Sequence, residues 1–287
     1  MFKKIVLISN NYSKVISDTL HTVVNVLEKR NIDVFLDKKC SEFAPGTSHE
    51  IIDTQNFEDK GYDLAIAIGG DGTILQAAHI VADYDIPLLG INRGRLGFLA
   101  DIPANNVEPM LSEILDGKYT EDIRFQLHCE LHRDEKIITE DSAFNEVIIQ
   151  KGNIGKLIEF ETYVDSDYVH SQRADGMIIS TPTGSTAYSL SGGGPIIHPK
   201  LDALLLVPIC PHTLSNRPIV IDGNSKVELV MKESKIEHGN LTCDGEMICD
   251  LQERDRILIY KKDRMIRLIH PLNYDHYSVL RAKLAWG

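Results

Sequence analysis

Positive charge is in short supply in this chain. Thirty lysines and arginines stand against 42 aspartates and glutamates, a net charge of −12. Nucleic acid and anionic membrane both call for basic surface, so neither is expected as a main partner. A nucleotide remains within reach, because a few cations or backbone N–H groups suffice for one phosphate chain. Long apolar runs are also missing. No stretch approaches the roughly 20 apolar residues of a membrane span. The opening run ends at Asn10, Asn11, Tyr12 and Ser13, too early for a secretory leader. Cys40, Cys129, Cys210, Cys243 and Cys249 are odd in number and show no C-x-x-C spacing. They read as reduced thiols in a cytoplasmic protein. The histidines form no H-E-x-x-H motif and read as surface or structural residues. No repeat, low-complexity segment or Pro/Ser-rich linker interrupts the 287 residues, a length that suits two domains.

What is present concentrates in two loops. The first is Ile66-Ala67-Ile68-Gly69-Gly70-Asp71-Gly72-Thr73. An apolar run, 64–68, predicts a strand buried on both faces. It breaks at two glycines and resumes with helical spacing over 73–80. Such a turn leaves backbone N–H groups pointing outward, where they suit a phosphate. Asp71 is the odd member, since a carboxylate repels phosphate unless it binds a metal or takes a proton from an attacking hydroxyl. Phosphoryl transfer needs a phosphate cradle and a group that positions the nucleophile. An ordinary strand-to-helix turn with a solvated Asp has the same local sequence.

The second loop follows the apolar run 177–180 and reads Thr181-Pro182-Thr183-Gly184-Ser185-Thr186-Ala187-Tyr188-Ser189-Leu190-Ser191, then Gly192-Gly193-Gly194. Pro182 and Gly184 force a turn, and Ser185 is a candidate cap for the short helix that follows. The triple glycine lets the backbone pass close to another group. Tyr188 offers an aromatic face for a purine. Upstream, Arg173 and Asp175 put a cation and an anion at the mouth of the same strand. Asn145-Glu146, opening a strand, can give an amide and a carboxylate to ribose hydroxyls or simply mark a strand start.

Strand and helix alternate over about the first 120 residues: strands at 4–9, 33–36, 64–68 and 87–91, and a helix at 15–30 with Ile16, Leu20, Val23, Val24 and Leu27 on helical spacing. This is the pattern of a parallel sheet with helices on its faces, whose ligands bind off the carboxyl ends of the strands. After about Arg124, β-like runs at 126–131, 146–150, 157–164, 176–180, 226–231 and 256–260 predict an antiparallel β domain. Residues 274–286 turn helical again.

With Gly69-Gly70-Asp71-Gly72-Thr73, Asn145-Glu146 and the 181–188 loop in this order and spacing, the chain resembles the NAD kinase family, most closely its bacterial type. The likeness extends to Leu96-Gly97-Phe98-Leu99, to Pro211-His212-Thr213-Leu214-Ser215-Asn216-Arg217-Pro218-Ile219-Val220, and to the close from His270-Pro271-Leu272 to Trp286-Gly287. The glycine turn is shared with phosphofructokinases and with lipid kinases, whereas the 181–188 run is particular to NAD kinases. The resemblance implies an α/β plus all-β architecture. A Rossmann-like parallel-sheet domain (1–123) precedes a β-sandwich NAD-binding domain (124–270). For the closing segment (271–287) the residues themselves set the expectation: a lone helix after a β domain must bury its apolar stripe, so it is expected to pack back on the first domain. The resemblance also implies phosphorylation of the 2′-hydroxyl of the adenosine ribose of NAD with ATP, giving NADP and ADP. Mg²⁺ arrives with ATP, and the chain forms a homo-oligomer, a dimer or tetramer. By the same resemblance Asp71 is the general base and Gly72 touches the dinucleotide. Asn145 and Glu146 hold NAD by ribose and adenine. Thr186, Ala187, Tyr188, Ser189 and Ser191 surround the nucleotide, Arg173 and Asp175 meet the nicotinamide half, and Lys156 falls near a substrate-contacting position. The chain departs from many relatives at Gly192, where they carry Ala, and at Glu246, where they carry Gln.

Two other readings compete. A sugar-phosphate kinase with the same glycine turn would draw on extra cations such as Arg93 and Arg95, and a lipid kinase would want a membrane-facing basic or apolar surface that a −12 chain does not suggest; neither needs the 181–188 loop. A dehydrogenase or binding module using a Rossmann turn would want G-x-G-x-x-G, but Leu75 stands where the third glycine belongs; a non-catalytic NAD(P)-binding sensor leaves Asp71 without a purpose.

Overall fold

Apolar residues without alternation make strands that must be covered on both sides. The computed structural model places them so. It describes residues 2–9, 14–42, 49–54, 57–58, 60–93, 97–152, 157–213, 215–232 and 239–286. The chain divides into two units, one of Met1–Ile123 with Ile266–Gly287 and one of Arg124–Met265.

In the first unit, β1 (Lys4–Ile8), β2 (Asp33–Asp37), β3 (Glu50–Ile52), β4 (Leu64–Gly69) and β5 (Leu88–Asn92) run parallel in the order β3-β2-β1-β4-β5. Every residue of β4 is buried. The short α2 (Lys38–Ser41) follows β2, and β6 (Ile102–Pro103) pairs with β5 through Ile91 and Ile102. The helix α1 (Lys14–Glu28) turns Ile16, Leu20, Val23 and Leu27 inward, and α4 (Val107–Leu115) does the same with Val107, Leu111 and Ile114. The strand order reverses at β1, between β2 and β4. In open parallel sheets that reversal opens a crevice at the carboxyl ends of the strands, and α3 (Asp71–Val81) begins there.

The second unit packs two antiparallel sheets. One contains β9 (Glu146–Lys151), β12 (Gly176–Ser180), β13 (Ala203–Ile209), β14 (Ile219–Asp222), β16 (Gly239–Cys243) and β17 (Glu246–Asp250), in the order β14-β13-β12-β9-β16-β17. The other contains β10 (Ile158–Val164), β11 (Asp167–Ala174), β15 (Val227–Met231) and the start of β18 (Arg256–Pro271), with β7 (Tyr119–Arg133) paired to β8 (Lys136–Ala143). Leu127, Val147, Ile149, Phe160, Met177, Leu206, Leu229 and Ile257 fill the space between. Ile148, Ile178, Leu205 and Val207 form a second, smaller cluster, and alternation along their strands puts it on the opposite face. That is why 177–180 reads as an unbroken apolar run. On β7, His128, Glu130 and His132 share a face, and Glu130 accepts from Tyr260 Oη at 2.7 Å.

Late in β18, Leu268 and Ile269 pair in parallel with Leu88 and Leu89, so this stretch joins the first unit. The closing helix α6 (His276–Leu284) is capped by Asp275, which accepts from the backbone N–H of Tyr277 and Ser278, and it buries Val279 and Leu280. Among the described residues no helix is long and apolar enough to cross a membrane.

Candidate active site

In the first unit α3 starts on Asp71 itself, with Gly70 as its cap residue and Thr73 and Ile74 donating to Gly70 O. Asp71 therefore sits in the first turn, where the helix presents unpaired amides. Its carboxylate is gripped: Phe98 N donates to Oδ2 at 2.9 Å and Leu99 N to Oδ1 at 3.0 Å. The loop carrying those amides can come this close because position 97 is glycine; a Cβ there would overlap Asp71 Oδ1. A carboxylate has about four lone-pair directions, so two amides orient Asp71 and leave room for a hydroxyl proton. Gly72 is exposed beside it. Arg93 is half-buried and donates its backbone N–H to Gly69 O, while Arg95 lies outside the described residues.

In the second unit Asn145 and Glu146 stand at the start of β9, and their backbone is fixed from a distance in sequence. Asp244, in the β16–β17 turn with φ 49°, accepts from Phe144 N (2.7 Å), Asn145 N (2.8 Å) and Glu146 N (3.0 Å). Asp244 N donates in return to Glu146 O at 3.0 Å. One carboxylate thus aligns three successive amides. The Glu146 side chain is buried, and its Oε2 has no hydrogen-bond partner among the described residues. Burial, and then the Asp244 charge, push its carboxyl up to about 8. A neutral acid there can donate one hydrogen bond and accept another, which suits a diol.

The 181–188 loop is bound to the same turn. Thr181 N donates to Asn145 O at 2.9 Å and Thr181 Oγ1 to Phe144 O at 2.7 Å. Gly184 packs against the Asn145 carbonyl so tightly that a Cβ would overlap it. Ser185 does not cap the short α5 (Tyr188–Ser191), as its position in the sequence suggested. Its hydroxyl donates to Pro182 O at 2.6 Å and accepts from Ile197 N at 3.1 Å, and the cap residue of α5 is Ala187. The reason is depth: Ser185 is fully buried and ties the loop to the chain beyond the glycines. Thr186 Oγ1 donates to Thr183 O, Tyr188 and Ser191 are exposed, and Ser189 is buried beneath Gly194. Arg124 supports the loop from below through Thr183 Oγ1 at 3.0 Å.

Arg173 and Asp175 have separate partners. Asp175 pairs with Lys151 at 2.6 Å, and Arg173 lies 3.9 Å from Glu159. Lys156 falls outside the described residues. Lys151, Asp244 and the Phe98–Leu99 amides were missed in the sequence. A lysine at a strand end and a backbone N–H carry no side-chain signature. Asp244 did carry one, an Asp-Gly pair between β-like runs, which marks a hairpin turn.

Comparisons with known proteins agree on one family. The description "ATP-NAD kinase N-terminal domain" matches residues 5–119, and "ATP-NAD kinase C-terminal domain" matches residues 144–271. The NAD kinase of Pseudomonas entomophila (strain L48) is 43% identical over 286 residues, covering 100% of this chain and 96% of the relative. That of Azotobacter vinelandii is 42% identical, covering 100% and 97%. Among solved structures, yeast NADH kinase complexed with NADH has a TM-score of 0.91 at 23% identity, covering 100% of this chain and 88% of its own. An NAD kinase from Archaeoglobus fulgidus in complex with ATP has a TM-score of 0.76 at 22% identity, covering 99% and 100%. Those two likenesses establish the fold, and the two family matches with the end-to-end relatives establish more: the chain belongs to the ATP-NAD kinase family and is an enzyme that phosphorylates NAD.

Proposed function

We propose that the chain transfers the γ-phosphoryl group of ATP to the 2′-hydroxyl of the adenosine ribose of NAD, with Asp71 as general base. The 2′-oxygen forms the new P–O bond, the bond to the ADP oxygen breaks, and the hydroxyl proton passes to an Asp71 carboxylate oxygen. The observation that carries this reading is the Asp71 carboxylate held by the Phe98 and Leu99 amides in the first turn of an eleven-residue helix. A carboxylate is far too weak a base to strip a ribose hydroxyl in advance, so it orients the hydroxyl and receives the proton late, as the attacking oxygen acidifies. Such help is worth roughly 10²–10⁴ in rate. The amides of the glycine turn favour the phosphates.

Asn145 and Glu146 hold the ribose and adenine in this reading, and Tyr188 lies against the base. Thr186, Ala187, Ser189 and Ser191 shape that nucleotide loop, Arg173 and Asp175 serve the nicotinamide half, and Lys156 lies near a substrate contact. That the yeast neighbour holds NADH and the archaeal one ATP supports a dinucleotide acceptor and an ATP donor. Mg²⁺ would arrive with ATP, held loosely by few protein ligands, and would supply neutralisation of charge on the transferred group. Among the described residues no group of three or more His, Cys, Asp or Glu side chains is arranged to hold a metal. The five cysteines are all unpaired, which supports a reducing, cytoplasmic setting. A homo-oligomer, dimer or tetramer, completes the proposal and is read by light scattering.

The deciding experiment incubates the purified protein with NAD, ATP and Mg²⁺ and reads NADP with an NADP-specific dehydrogenase. Asp71→Asn runs in parallel. Turnover in the variant falls by about two or more orders of magnitude while NAD binding persists. Near-normal turnover in Asp71→Asn removes that residue from the role of base.

A further inference from the structure

The loop that grips Asp71 is itself gripped, at two points, by the closing segment of the chain. His270, the penultimate residue of β18 and 2% exposed, bonds through Nδ1 to Asp101 Oδ2. Its Nε2 lies 3.5 Å from Asp122 Oδ2, and the Tyr274 ring stacks on it at 4.0 Å and 11°. Asp101 is only two residues beyond Leu99, so the pair anchors the chain about 7 Å or less from the amide that holds Asp71. Further along, Lys283 of α6 places its ammonium 5.3 Å from the centroid of the Phe98 ring. Leu99 and Ala100 are buried between these anchors. No part of the proposed chemistry needs His270 or Lys283, yet both touch the one loop that aims the base.

We infer that the closing segment clamps loop 97–101, making His270, and more weakly Lys283, positioning residues for the Asp71 carboxylate. The inference rests on Asp71 being the base. Physically, removing His270 leaves the Asp101 and Asp122 carboxylates without the imidazole between them in a largely buried place. Such groups relieve the strain by moving apart or taking up a proton. Either way the anchor at Asp101 shifts, and a small misplacement of an oriented group is enough to cost rate rather than affinity.

The test is a double-mutant cycle on the full-length protein. His270→Leu lowers kcat about tenfold, with the KM for NAD within about twofold of wild type. His270→Asn, whose amide nitrogen stands near the position of Nδ1, recovers most of the rate. In an Asp71→Asn background the same His270→Leu change alters the residual rate by less than about twofold, because the group it positions is gone. An equal loss in that background, or a rise in KM instead of a fall in kcat, overturns the clamp. Should His270→Leu fail to fold, the exposed Lys283→Met carries the same cycle. It lowers kcat about two- to threefold in the wild type and has no effect on Asp71→Asn; unchanged kcat overturns the clamp. Normal turnover in His270→Leu beside an inactive Asp71→Asn defeats the clamp alone. An active Asp71→Asn defeats the reading of the base.

Discussion

The glycine turn of the first unit and the Asn145-Glu146 turn of the second are built with one device used in opposite senses. In the first, a carboxylate proposed to do chemistry, Asp71, is held by two backbone amides from loop 97–101. In the second, three backbone amides at the proposed ligand-binding residues are held by a carboxylate, Asp244, that no motif singled out for chemistry. A carboxylate accepting several N–H bonds is a strong local fixture in either case. The difference lies in which partner keeps spare capacity. Asp71 is half-buried with lone pairs to offer, whereas Asp244 spends its oxygens on the chain and fixes the backbone of the two residues proposed to hold ligand. An aspartate in a glycine-rich turn is thus ambiguous by type: one aims itself, the other aims its neighbours.

The comparison breaks most sharply at Asp71, where Asn removes the proton acceptor but keeps the shape and loses about two or more orders of magnitude in turnover. Asp244→Ala has the next largest effect and a different kind of effect. With three amides left unpaired, urea denaturation shows a loss of about 2–3 kcal/mol, and the KM for NAD rises by more than kcat falls. An unchanged KM would mean Asp244 only ties a hairpin. Gly97→Ala pushes a methyl group at Asp71 Oδ1, and kcat drops about tenfold with NAD affinity retained. Steady-state kinetics of a folded Gly97→Ala that matches wild type would show that the grip on Asp71 is dispensable.

The smallest effect concerns Glu146 and pH. Its folded carboxyl is raised to about 8 against an ordinary 4.5, because burial and then the Asp244 charge disfavour ionisation. The folded state therefore holds a proton that the unfolded chain releases. Whatever stability this gives is fully present below about pH 4.5 and is lost as pH rises through about 8. Thermal melts of Glu146→Gln should gain on wild type between pH 5 and pH 8, then level off; a difference that stays flat across that range would show Glu146 ionising normally. At the closing segment the sign is the same but the cause differs. Burial alone would lower the His270 imidazole, yet the carboxylates of Asp101 and Asp122 outweigh it and raise it.

Several elements with one dominant pattern were legible in the sequence, though the unbroken apolar β13 and the amphipathic α4 were not read. The strand at 176–180 and the turn after 68 were readable from apolar runs ended by glycine or proline. The 16-residue β18 was read only over 256–260, because its middle, Lys261-Lys262-Asp263-Arg264, is polar on a solvated stretch. β8 and β11 escaped for the same reason, with most of their residues exposed or half-exposed. At the site, side-chain identities were legible and their partners were not. Arg173 and Asp175 are neighbours in sequence but pair with Glu159 and Lys151 on other strands. Ser185 looked like a cap and proved a buried tie.

The sequence alone settled the alternation of strand and helix, the β-rich second half, and the order and spacing of motifs that mark an NAD-phosphorylating enzyme. These are local properties, written in which residues follow one another. Only the tertiary structure decided that Phe98 and Leu99 hold Asp71, that Asp244 holds Asn145 and Glu146, and that His270 reaches Asp101 across 169 positions. Backbone amides are the same in every residue but proline, and hydrogen bonds act over about 3 Å. What a carboxylate does therefore depends on which distant amides or cations the fold brings within that reach.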